Sequence, residues 1–597
     1  MFYCDEIFMG IKKSVFGVLS FLGILFYPLH AEESWSFAIL GDTQWASEVC
    51  TPVEGTSDTL CLSGDSLSGY RNPNSVAVDF IHQIQERLIL DHKPKFLVLL
   101  GDFGDDVDVK SVQTRVTWAQ ELYDAQIGVF PVRGNHDEGP FVAKEFLRVF
   151  PQTRTGEMNQ TPTDAFLWTD SAQIHPRLIP GNTSFKIGSH FSSPSCAVGR
   201  SYAFQESGAT FIFLDPFMDS RAASCPIADQ ISWVDSVLKA KGGASVPAFV
   251  FGHKPLIGAC HEDNLFGDNP SVDPVNTTRF MKTLVDHGVR LYIAGHEHLL
   301  QHSIVEEPGD GGLQIQQAIF SGASWKFYPS LIPTIDEKFN VPAFGKTREV
   351  ALGQELGYVG YQIVQVEGER VEITSWGAPT GVMIGELIEA PNLKEQWSVR
   401  RVWGWSSRGK QTLLAPNASL TSLSDSFLGT SVRVLSGIWK TSKKDFSRRA
   451  FSALASTDWR IFSGLKSAAW TLWGLEKENG SLETPSFALA MSFNAEGLTS
   501  ESIGELCLMR QEANNYWGCA GKGNLLMRPW QETDPVGTQG LDLEKNEAWA
   551  VVNQGGTYAV GVQGTLKNAI RNKKQPPSYK KEKERFFDLL GRESKEH

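Results

Sequence analysis

Metal-binding side chains recur in five short segments of this chain: Gly41-Asp42-Thr43-Gln44, Gly101-Asp102, Gly134-Asn135-His136-Asp137, Gly252-His253 and Gly295-His296-Glu297-His298. Four directly follow apolar runs that read as strands, Phe37–Leu40, Phe96–Leu100, Phe249–Phe251 and Leu291–Ala294. The remaining one follows the run Gly128–Val132 with Arg133 between. Strand ends converge at one edge of a parallel sheet, so residues this far apart in sequence can meet at one site. Taken singly, a Gly-Asp after a strand is ordinarily a turn and a lone histidine ordinarily a solvated or satisfied side chain. Together the segments supply Asp42, Asp102, the amide oxygens of Gln44 and Asn135, and the imidazoles of His253, His296 and His298. That set suits two divalent ions sharing one carboxylate.

The five blocks resemble the calcineurin-like metallophosphoesterase superfamily, whose motifs run D-x-H or D-x-Q, GD, GNH[DE], GH and GHxH. All five stand here in order, and the resemblance spans roughly residues 33–390. The Asp-Thr-Gln start and the stretch Gly252–Leu256 look most like the single-domain phosphatases with a D-x-Q first block. The resemblance implies that Asp42, Gln44, Asp102 and His298 hold a first metal, with Asp102 bridging, and that Asn135, His253 and His296 complete a second. Gln44 replaces the commoner histidine with a neutral, harder oxygen donor, which favours Mn²⁺ or Fe over Zn²⁺ and leaves the identity of the two ions open. His136 would stand off the metals, stabilising the transition state or protonating the leaving oxygen, while Asp137 orients its ring. A metal-bound hydroxide, acidified from a water pKa of ~15.7 toward ~7, would attack phosphorus in line without a covalent intermediate. Arg133 would either clamp two phosphate oxygens or cap a surface turn. Asp105, Asp106 and Asp108 read as a solvated acidic loop, and Lys254 either meets phosphate or is solvated.

The elements needed to position these residues are legible as alternating strand and helix. Ser75–Leu90, Ser111–Ala125, Ala228–Lys241 and Thr277–Val285 have helical spacing. Phe211–Leu214 reads as a further buried strand, and Tyr361–Gln365 with Val371–Trp376 as a closing hairpin turned by Gly368. The expected fold class is α/β: a metallophosphoesterase two-sheet sandwich flanked by helices over 32–391, followed by a smaller, mostly-β domain over 397–566 and a charged tail over 567–597. Two insertions, Glu48–Asn74 and Ala323–Val350 with Trp325, Phe327 and Tyr328, fall near the expected site mouth. From Trp397 onward, short alternating runs such as Ser486–Ser492 and Thr557–Val562 suggest an antiparallel sandwich with a structural role or with surface or carbohydrate contacts.

Composition bounds the remainder. A chain of 597 residues, 41% apolar and 21% charged, is globular and too long for one core. Its net charge of -13 gives no basic footprint for nucleic acid, and excludes no small phosphoester. Lys12 and Lys13, the apolar run Val15–Tyr27 and Ala31 form a signal-peptide pattern, too short for a span of ~20 residues. Met9 is an alternative start and an uncleaved amphipathic anchor the alternative reading. Export permits disulfides, with Cys50/Cys61 and Cys507/Cys519 first by proximity, then Cys196/Cys225, leaving Cys260 over. The sequence therefore describes an exported phosphoesterase with two metal ions acting on a small phosphomonoester, with no transmembrane anchor beyond the signal segment. A phosphodiesterase with the same metal site, or a surface-binding protein with an inactive phosphatase-like domain, are the alternatives. Protein from the extracytoplasmic fraction is expected to begin at or near Glu32 on N-terminal sequencing; an intact Met1 or Met9 would favour the anchor.

Overall fold

The structure, a computed structural model, describes residues 34–44, 48–52, 59–63, 73–105, 109–155, 188–217, 225–261, 263–267, 273–306, 313–320, 322–323, 348–355, 357–379, 396–407, 411–414, 421–424, 430–437, 448–450, 453–458, 465–473, 483–512 and 516–563. The expected signal segment, the charged tail, Asp106, Asp108 and the aromatic residues Trp325, Phe327 and Tyr328 lie outside them. No helix among the described residues is long and apolar enough to cross a membrane.

The larger part is built, in chain order, from β1 (Trp35–Leu40), α1 (Pro73–Arg87), β2 (Phe96–Leu99), α2 (Val109–Asp124), β3 (Gly128–Pro131), α3 (Pro140–Val149), β4 (Ser189–Phe191), β5 (Tyr202–Glu206), β6 (Ala209–Phe213), α4 (Ile227–Ala240), β7 (Ala248–Phe251), α5 (Pro274–Asp286), β8 (Leu291–Ala294), β9 (Leu300–Glu306), β10 (Gln314–Ile319), β11 (Arg348–Glu355), β12 (Tyr358–Glu367), β13 (Arg370–Pro379) and β14 (Ser398–Ser406). One sheet has the order β14-β13-β12-β1-β2-β3, its last three strands parallel. The other runs from residues 448–450 through β11-β9-β10-β8-β7-β6-β5-β4, with β6, β7, β8 and β10 parallel.

Alternation along the strands divides their side chains between layers. Phe37, Ile39, Phe96 and Val98 meet Phe211, Phe249, Phe251 and Ile293 of the second sheet in a core between the two. Aromatic rings fill it: Phe37 lies 5.3 Å from Phe96, 5.1 Å from Phe211 and 5.0 Å from Phe249. Such contacts add ~0.5–1.5 kcal/mol each beyond area burial. The alternate residues Ala38, Leu40, Leu97 and Leu99 face α1, α2 and α3 on the outside. On the far side, Ile231, Val234 and Leu238 of α4 and Phe280 and Leu284 of α5 cover the second sheet. Asp273 caps α5 by accepting from the Asn276 N–H at 3.1 Å, just before Pro274.

The four expected helices are α1, α2, α4 and α5, and the hairpin turned at Gly368 is β12–β13. The strand β14, with Trp403 and Trp405, lies in the first sheet. β14 pairs with β13 from Arg370↔Ser406 to Gly377↔Ser398, and Trp403 and Trp405 are 0% and 2% exposed in the core between the sheets. The first sheet thus runs to Ser406. Beyond it stand two six-stranded, chiefly antiparallel sheets. In the strand Glu483–Ser492, Phe487, Leu489 and Met491 face the core between them, while Ala488 and Ala490 pack on Trp549. The disulfides are Cys196–Cys225 and Cys507–Cys519, and Cys50 and Cys61 stand opposite one another in the hairpin Glu48–Pro52/Thr59–Ser63. Trp403→Ala removes a fully buried indole from the central core. Urea unfolding is expected to show a loss of about 3–5 kcal/mol, and a loss below 1 kcal/mol would contradict this placement of β14.

Candidate metal centre

Each candidate ligand is delivered by the loop that follows a parallel strand: Asp42 and Gln44 after β1, Asp102 after β2, Asn135 after β3, His253 after β7, and His296 and His298 after β8. The two sheets meet at these loops. Gly41 bridges Gly322, and a Cβ on Gly41 would lie 2.3 Å from the Phe320 carbonyl oxygen. Both oxygens of Asp42 accept from the His296 backbone N–H, at 3.0 and 3.1 Å.

All seven candidate ligands come together. Asp42 Oδ1 is 3.8 Å from His298 Nε2 and 4.0 Å from His253 Nδ1. Asp102 lies 3.3 Å from His253 Nε2 and 3.4 Å from Gln44 Nε2. Asn135 Oδ1 is 2.9 Å from His253 Nε2, and the His253 and His296 ring centres are 5.1 Å apart. Among the described residues three groups emerge whose ligand atoms lie within 4.8 Å of one another: His261, His296 and Glu297, and two that share a carboxylate, Asp42, Asp102 and His298 with Asp102, His253 and His296. Asp102 belongs to both. His253 presents Nε2 because Nδ1 is held 2.6 Å from the Leu100 carbonyl, the usual means of fixing a ligand tautomer.

The backbone is bent for the purpose. Gln44 (φ 35°), Asp102 (φ 51°), His296 (φ 72°) and His298 (φ 51°) all occupy the left-handed region, which costs non-glycine residues ~1–3 kcal/mol each and persists where surrounding contacts hold it. The electrostatics match a site that takes cations. Burial pushes the Asp42 carboxyl up, with the Asp102 charge adding and His253 opposing. Burial acts the same way on Asp102, but His253 outweighs it and holds that carboxyl low. His253 in turn is raised despite its burial, by Asp102. Two carboxylates buried side by side are costly unless positive charge offsets them, so this donor set fits divalent ions.

The remaining expected site residues fall out differently. His136 is half-buried, its backbone N–H on Asp102 Oδ1 at 3.0 Å and its Nδ1 2.5 Å from the Asp105 carbonyl. Asp137 does not orient that ring: its carboxylate accepts from the N–H groups of Gly134 (3.0 Å) and Phe103 (3.1 Å), bracing two loops. Arg133 does not stand at a surface turn. It is fully buried and paired with Asp215 at 2.6 Å, beside the carbonyls of Asp137 and Phe217. Lys254 is buried against Asp263 at 2.7 Å. Three residues near the site carried no expected role: His261, whose ring is 4.5 Å from that of His296; Asp263; and Glu297, which accepts from the N–H groups of Cys260 and His261. The stretch His261-Glu262-Asp263, a few residues past His253, was the available signal.

A Cβ on Gly134 would lie 2.0 Å from Asp102 Oδ1 and 2.5 Å from its backbone nitrogen. Gly134→Ala is thus expected to displace Asp102, costing about 1–3 kcal/mol of stability and lowering bound Mn²⁺ in the purified protein. Full metal content would show that the loop accommodates the methyl group.

Among curated proteins no match is found. Solved structures similar over part of the chain include GAP50, the anchor in the inner membrane complex of Plasmodium (15% identity, 60% of this chain and 88% of that one, TM-score 0.29). A purple acid phosphatase, PPD1, from yellow lupin seeds is another (11% identity, 63% and 54%, TM-score 0.33). A third is the Haemophilus influenzae NAD nucleotidase (10% identity, 61% and 55%, TM-score 0.27), so this chain spans about half the length of the last two. The family model described as calcineurin-like phosphoesterase matches residues 36–300, the span that holds all five motifs.

Proposed function

We propose that the protein hydrolyses small phosphomonoesters with two divalent cations, one held by Asp42, Gln44, Asp102 and His298 and the other by Asp102, Asn135, His253 and His296. The observation that carries this reading is the pair of overlapping donor groups with Asp102 in both. Bound there, the cations would supply Lewis-acid activation of water and of the phosphoryl oxygens. Mn²⁺ or Fe suits the oxygen-rich group around Gln44 better than Zn²⁺.

Within this reading the chain's own residues have separable tasks. Asp102 fixes the spacing of the two groups. His136 keeps Nδ1 on the Asp105 carbonyl, leaving Nε2 to hold the proton that passes to the leaving oxygen. Asp137 sets the backbone from which Asn135 and His136 project. Disulfides Cys196–Cys225 and Cys507–Cys519 favour an oxidising compartment and so an exported protein.

The test is an assay of the purified protein with Mn²⁺, Fe²⁺ or Zn²⁺ against panels of aryl phosphates and bis-aryl phosphates. Turnover of monoesters above diesters is expected; the reverse preference favours the phosphodiesterase, and a folded, metal-loaded, inactive protein favours the surface-binding alternative. Asp102→Asn should reduce metal content and activity together without unfolding the chain. His136→Ala should keep both ions and lower kcat ~10²–10⁴-fold, more for basic leaving groups than for acidic phenols. A loss independent of leaving-group pKa would exclude proton donation.

A further inference from the structure

His296 and His253 are presented in opposite senses. His253 has its Nδ1 on a neutral backbone carbonyl, that of Leu100, and its Nε2 toward Asn135 and Asp102. His296 has its Nε2 2.9 Å from Asp263 Oδ1, which leaves Nδ1 as the donor atom. The second oxygen of Asp263 is itself fixed, 2.7 Å from Lys254 Nζ. Lys254 follows His253 directly in the chain, so the loop that carries one candidate ligand also anchors the partner of the other. The His261 ring lies against one face of His296, with 4.5 Å between centres. His296 is 6% and Lys254 9% exposed, so water competes little for these contacts.

An imidazole that donates its N–H to a carboxylate is a stronger electron-pair donor at its other nitrogen than one donating to a neutral carbonyl, and its ring cannot turn without losing a charge-assisted hydrogen bond. We propose that Asp263 is a positioning residue that fixes the tautomer and ring direction of His296 for the second cation, with Lys254 holding Asp263 in place. The inference rests on the two-cation reading and deepens it: the ion at His296 draws on a carboxylate outside the five motifs. The residue acts through His296 and touches no substrate.

Calorimetric titration of the metal-stripped full chain with Mn²⁺ tests this, using the unaltered protein, Asp263→Ala, Asp263→Asn and Asp263→Glu. The unaltered protein should bind two ions. Asp263→Ala should weaken one of them about 10- to 100-fold and leave the other unchanged, with Asp263→Asn intermediate because it keeps an acceptor but not the charge. Asp263→Glu should recover part of the loss. Equal weakening of both ions, or unchanged affinity for both, overturns the inference, since Asp263 would then only support its loop or do nothing. Should Asp263→Ala fail to fold, Asp263→Asn decides the matter by the same one-ion criterion. An unaltered protein that binds fewer than two ions overturns the two-cation reading itself, and the inference with it.

Discussion

Asp102 is the residue on which the geometry of the site turns. Its backbone carbonyl accepts from the N–H groups of Thr43 and Gln44, tying the loop after β2 to the loop after β1. One carboxylate oxygen accepts from the His136 N–H and so ties in the loop after β3. The same carboxylate stands 3.3 Å from His253, which comes from the other sheet. Loops from both halves of the sandwich thus converge on one fully buried acid. It sits in the left-handed region, uncommon for residues other than glycine.

Strain and charge at this edge depend on the rigidity behind them. The phenylalanine-rich layer between the sheets and the helices on both outer faces fix the strand ends, and those ends fix the loops. Glycine makes the close approaches: Gly41 against Phe320 and Gly322, Gly134 against Asp102, and Gly295 against Asp42. In each case a side chain would enter space already filled by backbone or by a candidate ligand. Packing this close at the strand ends leaves the candidate donors little freedom to move.

Much of this was legible in the sequence because the parallel strands are buried on both faces and so appear as unbroken apolar runs immediately before each motif. β9, β10 and β11 were not read, since Gln301, His302, Ser303, Gln316, Gln317 and Gln354 are polar yet buried in them. Some of these side chains pair with one another, Gln354 donating to Gln301 at 2.6 Å and His302 lying 2.8 Å from Gln316. No pattern of alternation announces such a sheet. The partner of Arg133, Asp215, lies 82 positions away and could not be read locally. Asp263 was passed over because no apolar run precedes it. The site residues that local sequence reveals are those on strand ends; those defined by a distant partner become visible only in the fold.

One edge of the nine-stranded sheet has a neighbour from an unexpected place. The strand beside β11 is Arg448–Ala450, drawn from the part of the chain that otherwise forms the C-terminal sandwich, and it pairs with Gly353–Glu355. An uncovered strand edge is a template onto which a second molecule can add. Arg448–Ala450 thus covers backbone groups of Gly353–Glu355 that would otherwise stand open at the edge of that sheet.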